Sequence, residues 1–354
     1  MNFQRTLIIK PSSLGDIVQA LPVLTALKES HPEAHVSWLV ARAFAEILDG
    51  HPRVDEVIVF DRHRIGRMSH SLGAARDFFS LIETLRKHEF TTALDLQGLF
   101  RSSFFAAATG APSRVGFHSA REFAPLFYTD VVRLPTDEMH AVDRYLAMAQ
   151  HVGLGLPKAT DHLPVPAQSR AAARAHLAQE GLAPGEPFVA VCAHARWETK
   201  QWPPERFAEV LLALHAAPGA RAVLFGGEPA EAIGRRIAAA AAATQPVDLT
   251  HRTTLRELVA LIAEARAMVT NDSGPMHVAA AVGTPVVAVF GPTNPVRTGP
   301  YGPGHRVIAG RAPCSPCYKR ECPYKGGPQA LCCLKNIASE EVARLLLETW
   351  AAGG

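Results

Sequence analysis

The acid best suited to proton transfer in this chain is Asp16, within Lys10-Pro11-Ser12-Ser13-Leu14-Gly15-Asp16-Ile17-Val18. An apolar run, Thr6-Leu7-Ile8-Ile9, precedes the stretch and reads as a buried strand. Ile17, Leu21, Leu24 and Leu27 follow at the spacing of one helix face. A small-residue loop therefore joins a first strand to a first helix, the kind of junction where open α/β sheets bind ligands. Ser13 and Asp16 also have the spacing of a capping box. The two roles are compatible, because Asp16 can sit at the helix start and still face a cleft at the strand ends. A helix N-terminus favours the ionised carboxylate. That suits a reaction in which an attacking hydroxyl loses its proton late. The loop is not G-x-G-x-x-G, which argues against a nicotinamide dehydrogenase.

Three constellations in the second half suit a phosphorylated ligand. Thr270-Asn271-Asp272-Ser273-Gly274-Pro275-Met276-His277 joins a strand to a helix. The amides around Ser273 and Gly274 and the helix dipole make an anion site that fits a diphosphate; simple capping by Asp272 is the other reading. Phe290-Gly291-Pro292-Thr293-Asn294-Pro295 would border the same crevice, with Thr293 at its centre. Lys200 lies between Trp197 and Trp202, where a cation could neutralise a departing diphosphate or simply be solvated. Glu231 follows Gly226-Gly227-Glu228-Pro229-Ala230. An acid there can accept from both ribose hydroxyls, or complement its own helix N-terminus.

Two further sets stand out. Arg62, His63, Arg64 and Arg67 share one loop, and Arg101, Arg121, His140 and Arg144 follow. Beside a cleft such a set would hold a phosphorylated or carboxylated acceptor; elsewhere it is a solvated face. Cys314, Cys317 and Cys322, followed by Cys332 and Cys333, allow a metal or cluster site through Cys314, Cys317, Cys322 and Cys332, with reduced packing thiols or an adventitious disulfide as the alternatives.

The elements that must position these groups alternate. Strand-like runs at 35–40, 54–60 and 92–96 are separated by helical patterns near 43–49 and at Leu72–Lys87, and Gly98-Leu99-Phe100-Arg101 opens another helix. Strands are expected again at 189–193, 222–225, 247–249, 267–270 and 286–290, with helices at 205–214, 228–243, 255–265 and 276–282 between and among them. This argues parallel sheets covered by helices on both faces. At 354 residues the chain exceeds the usual size of one core. The expected division is 1–165, a Pro/Ala/Gly-rich linker at 166–186 with one short helix, 187–336, and a closing helix at 337–354. A net charge of +3 is too small for a nucleic-acid binder. No apolar stretch is long enough for a membrane span, and the N-terminus lacks a signal-peptide layout, so a cytoplasmic protein is expected, with any membrane association peripheral.

The opening K-P-S-S-L-G-D-I-V, D-L-Q-G-L-F-R-S at Asp95–Ser102, S-A-R-E at Ser119–Glu122 and H-A-V-D-R at His140–Arg144 match one pattern. K-Q-W-P-P-E-R-F at Lys200–Phe207, N-D-S-G-P-M-H-V-A-A-A at Asn271–Ala281 and F-G-P-T-N-P at Phe290–Pro295 continue it in order. Together they resemble the ADP-heptose:lipopolysaccharide heptosyltransferases, glycosyltransferase family 9. The resemblance implies a GT-B fold, with two Rossmann-like domains facing a central cleft, the acceptor held by the first and the nucleotide sugar by the second. It implies that the closing helix packs back on the first domain. It also implies an inverting enzyme that needs no catalytic metal. Asp16 would be the base on a Kdo or first-heptose hydroxyl of the lipopolysaccharide inner core. Lys200, Asp272, Ser273, Gly274 and Thr293 would serve the diphosphate of ADP-heptose, and Glu231 the ribose. Ser12, Ser13, Arg62, Arg64, Arg101, Arg121, His140 and Arg144 would line the acceptor and sugar side, at the cytoplasmic face of the inner membrane. The competing readings are a GT-B enzyme with another nucleotide sugar, and a non-catalytic metal- or sugar-binding protein built on the cysteines.

Overall fold

Leu7, Ile8 and Ile9 are wholly buried on both faces of their strand, as a central parallel strand requires. In this computed structural model, which describes residues 1–65, 71–136, 138–215, 217 and 220–352, that strand is β1 (Arg5–Ile9). The chain divides into two units, Met1–Pro164 and Val165–Gly354.

The first unit carries β1, β2 (His35–Ala41), β3 (Glu56–Phe60), β4 (Thr92–Asp95), β5 (Ser113–Phe117) and β6 (Asp130–Val132). They form one parallel sheet in the order β3-β2-β1-β4-β5-β6. Its helices are α1 (Leu14–Ser30), α2 (Arg62–Ile65), α3 (Leu72–Lys87), α4 (Phe100–Ala108) and α5 (Ala141–His151). The four residues that mark the apolar face of α1 are all fully buried. The helix expected near 43–49 is a 3₁₀ segment, Arg42–Ile47.

The second unit begins with α6 (Ala167–Gln179), inside the stretch expected to be a linker. Arg170 and Arg174 both pair with Glu264, at 2.8 and 2.5 Å, so this helix is tied to the second unit. Then come β7 (Phe188–Cys192), α7 (Pro204–Leu214), β8 (Arg221–Leu224), α8 (Glu231–Ala240), β9 (Val247–Asp248), α9 (Leu255–Glu264), β10 (Ala267–Asn271), α10 (Gly274–Val282), β11 (Val286–Phe290), α11 (Pro295–Thr298), β12 (Arg306–Ala309), α12 (Cys332–Lys335) and α13 (Ser339–Ala352). The sheet is again parallel, in the order β12-β11-β10-β7-β8-β9. The helix expected at 228–243 is broken into α8 flanked by two 3₁₀ turns.

The closing helix buries Val342, Ala343, Leu346 and Trp350 in the second unit's core, beside Phe207 and Leu211 of α7. Arg266 Nε donates to the Trp350 carbonyl at 2.8 Å. The apolar face of this helix is thus part of the second unit's core.

Numbered from its own first strand, each sheet has the order 3-2-1-4-5-6, the doubly wound arrangement whose ligands bind where the order reverses. The reversal falls between β1 and β4 in one unit and between β7 and β10 in the other. The loops after those four strands hold Ser12–Asp16, Asp95–Leu99, His194–Lys200 and Asp272–Gly274. Among the described residues no helix is long and apolar enough to cross a membrane.

Candidate active site

In the first unit the loop after β1 ends at Ser13, the N-cap of α1. Asp16 Oδ2 accepts from Ser13 N at 2.8 Å and from Ser13 Oγ at 2.6 Å. The capping box is therefore formed, and Asp16 still keeps 42% of its side chain exposed. Beneath it lies Lys10, only 3% exposed. Its Nζ is 3.9 Å from Asp16 Oδ1 and donates to the Leu96 carbonyl at 3.1 Å. Nothing in the sequence marks this lysine as buried, because burying one requires partners that only the tertiary fold supplies.

The loop after β4 is built around Asp95, which is fully buried. Its carboxylate accepts from Gln97 N at 2.9 Å, Gly98 N at 3.1 Å and Tyr128 Oη at 2.7 Å. Burial pushes the Asp95 carboxyl up, against the pull of these hydrogen bonds. Gly98 sits at φ +68°, a left-handed turn that glycine takes without strain, and a Cβ added there would lie 3.1 Å from that of Ala120. D-L-Q-G is thus a turn held by its own aspartate.

The S-A-R-E and H-A-V-D-R motifs meet beside this turn. Arg121 N donates to the Gly98 carbonyl at 3.0 Å. His140 caps α5, its Nδ1 accepting from Val142 N at 3.2 Å. Arg144 donates to Ser119 Oγ at 3.4 Å and lies over the Phe117 ring at 5.6 Å. Phe117 adjoins Tyr145, whose ring is 5.1 Å from Lys10 Nζ. A continuous set of contacts therefore runs from Asp16 through Lys10 and Tyr145 to Arg144.

The basic set is only partly assembled. Arg62 is close enough to Arg101 to help hold that guanidinium low, after desolvation as the larger cause and against Glu122. Arg64, expected on the acceptor side, forms an ion pair with Asp77 of α3 at 2.9 Å. The His63 side chain and Arg67 lie outside the described residues. Ser12 is half-buried at the turn, and Arg121 is exposed.

In the second unit Lys200, Asp272 and Thr293 come together from three loops. Lys200 Nζ is 2.6 Å from Asp272 Oδ2, and Thr293 Oγ1 donates to the same oxygen at 2.5 Å. Asp272 is 4% exposed. Asn271, which carried no assigned role in the sequence, is the joint between loops: it accepts from Trp202 N at 3.1 Å and donates to the Ala193 carbonyl at 2.6 Å. Ser273 is the N-cap residue of α10, with Gly274 and Pro275 in its first turn, directly after the Asp272 that Lys200 pairs with. The Trp197 ring carries two cations, Lys200 Nζ at 4.8 Å and Arg320 at 5.3 Å. Thr199 Oγ1 donates to the Lys319 carbonyl and Ser315 Oγ to the Gly291 carbonyl, at 2.8 and 2.5 Å. The cysteine-bearing segment is thus laced to the loops that carry Lys200 and Thr293.

Glu231, expected at the ribose, pairs with Arg235 one turn on at 2.8 Å. The six cysteines are free thiols. Among the described residues, Cys314, Cys317, Cys322 and Cys332 included, no group of three or more His, Cys, Asp or Glu side chains is placed to hold a metal ion.

The profile of Glycosyltransferase family 9 (heptosyltransferase) matches residues 78–327. The chain belongs to glycosyltransferase family 9. It is an enzyme, a heptosyltransferase by family. Lipopolysaccharide heptosyltransferase 1 of Pseudomonas aeruginosa is 30% identical to it, over 91% of this chain and 88% of that protein. A family 9 glycosyltransferase from Veillonella parvula superposes with a TM-score of 0.83 at 25% identity, covering 100% of this chain and 99% of the other. The Escherichia coli heptosyltransferase WaaC, solved with ADP, gives 0.76 at 27% identity, covering 98% and 99%. The α/β fold with two Rossmann-like units is that of the GT-B heptosyltransferases.

Proposed function

We propose that this family 9 enzyme transfers L-glycero-D-manno-heptose from ADP-heptose to a Kdo or heptose hydroxyl of the lipopolysaccharide inner core, with inversion at the anomeric carbon. The observation that carries the donor half is the Lys200–Asp272–Thr293 cluster at the N-terminus of α10. A diphosphate arriving there meets an ammonium and helix amides, and Lys200 exchanges Asp272 for phosphate oxygen. The acceptor half rests on Asp16, whose carboxylate is oriented by Ser13 and whose side chain is 42% exposed.

In the proposed step the acceptor oxygen attacks C1 on the face opposite ADP. The C1–O bond to the acceptor forms as the C1–O bond to the β-phosphate breaks, and the acceptor proton passes to Asp16. ADP leaves with both electrons of the broken bond, neutralised by Lys200 and the α10 amides. Charge stabilisation comes from protein groups, so turnover is expected to survive EDTA. The acceptor is a lipid, which places the working enzyme peripherally at the cytoplasmic face of the inner membrane. Mass spectrometry of a reaction containing ADP-heptose and truncated core acceptors tests the reading. A product heavier by one heptose supports it; nucleotide release only with a UDP- or GDP-sugar would replace the donor.

A further inference from the structure

We infer that Lys10 is a positioning residue for Asp16, a buried ammonium that fixes the carboxylate proposed as base; the inference rests on that reading of Asp16. A lysine buried to this degree needs compensation for its lost hydration. Its backbone is fixed, since Trp38 Nε1 donates to the Lys10 carbonyl at 3.3 Å. One ammonium proton goes to Leu96 O, and Tyr145 packs against the charge.

The counter-charge has two sources. Asp95 is already bonded to Tyr128, Gln97 and Gly98. Asp16 approaches to 3.9 Å with Oδ1, while Ser13 holds Oδ2. Each carboxylate oxygen therefore has its own restraint, the cap on one side and the ammonium on the other. The titratable groups around Lys10 are Asp16 from α1, Asp95 from β4 and Tyr145 from α5, with Arg144 beyond Tyr145. Burial acts to lower the Lys10 ammonium, but Tyr145, Asp16 and Asp95 outweigh it, so it stays protonated. Tyr145 is itself pushed up by burial, so at neutral pH it offers a hydroxyl and a ring face instead of a charge.

Lys10 does not touch the acceptor in this role, so its removal is expected to act on kcat and on the pH profile and to leave donor binding alone. The experiment compares full-length wild type with K10M, K10R and D16N, using ADP release with ADP-heptose and a core acceptor. For K10M, misplacing the base lowers kcat by up to ~10²-fold. The acidic limb of kcat/KM moves up, as loss of a cation within reach of a carboxylate dictates. The Kd for ADP stays at its wild-type value. K10R keeps the charge in another shape, so the limb returns towards wild type while kcat stays reduced. If K10M does not fold, K10R alone decides: reduced kcat with an unmoved limb supports the role. Wild-type kcat and limb in K10M, or wild-type kcat in K10R where only K10R folds, overturn it. If D16N keeps full turnover, the reading of Asp16 as base fails and the inference falls with it. If D16N is inactive while the folded Lys10 variants behave as wild type, only the inference fails.

Discussion

Replacing Lys200 by methionine separates what this residue does for the fold from what it does for the reaction. Asp272 is 4% exposed and Lys200 Nζ stands 2.6 Å from it, with the lysine side chain 19% exposed. Methionine keeps the length of the stem and removes the charge, leaving a buried carboxylate with the Thr293 hydroxyl as its named remaining donor. Breaking a fully buried pair from one side costs ~3–5 kcal/mol. Because a fifth of Lys200 is open to water, about 2–3 kcal/mol is expected here. For a unit of this size that lowers the melting temperature by roughly 5–10 °C. Three of the four tryptophans, Trp197, Trp202 and Trp350, lie in the second unit, so intrinsic fluorescence reports its unfolding. In the double variant K200M/D272N the stranded charge is gone, and the loss is expected to fall short of the two single losses added together. Turnover behaves otherwise. K200M loses roughly 10²–10³-fold in kcat, the scale for removing one preorganised charge contact, and the double variant does not regain it. An unchanged melting temperature in K200M refutes the burial argument. Recovered turnover in the double variant refutes the direct role of Lys200 at the diphosphate.

Acid is expected to destabilise the first unit before its carboxylates titrate. Desolvation is the leading cause that holds His51 and His162 below the ordinary histidine range, and they hydrogen-bond at 2.9 Å to the His162 carbonyl and 3.0 Å to Thr25 Oγ1 respectively. Their neutral forms are favoured in the folded state. That stability is fully present above the unfolded value near 6.5 and is lost as pH falls through the lower folded values. Urea unfolding at pH 7.5 and 5.5 measures it, and H162N should flatten the difference. Gly310→Ala would set a Cβ 1.5 Å from the Cys333 carbonyl, so the end of β12 or α12 must move. A loss of ~1–3 kcal/mol is expected in the same assay, and a neutral result would contradict the packing of α12.

The elements legible in the sequence are those whose burial writes a simple pattern. Val286–Phe290 is buried throughout and reads as one apolar run. Leu72–Lys87 has one apolar face and matched its helix residue for residue. β5 was not legible, because its Arg114 reaches loop carbonyls and its Gly116 is required beneath the Tyr128 ring. β12 was hidden by the exposure of Arg306 and Val307. Among the residues that the fold brings together, Ser13, Asp16, Asp272 and Thr293 could be picked out because loop position and residue type coincide. Lys10, Asn271 and Arg320 could not, since each takes its place from a partner distant in sequence. Arg235, one turn beyond Glu231, pairs with it at 2.8 Å, a contact that i,i+4 spacing on one helix allows.

The most direct test is turnover of D16N, measured as ADP release with ADP-heptose and a Kdo-bearing core acceptor, beside its Kd for ADP. Asparagine preserves the shape and removes the proton acceptor. The account predicts a fall in kcat of at least ~10²-fold, with the Kd for ADP at its wild-type value because the donor cluster lies in the other unit. Turnover within a few-fold of wild type would contradict it.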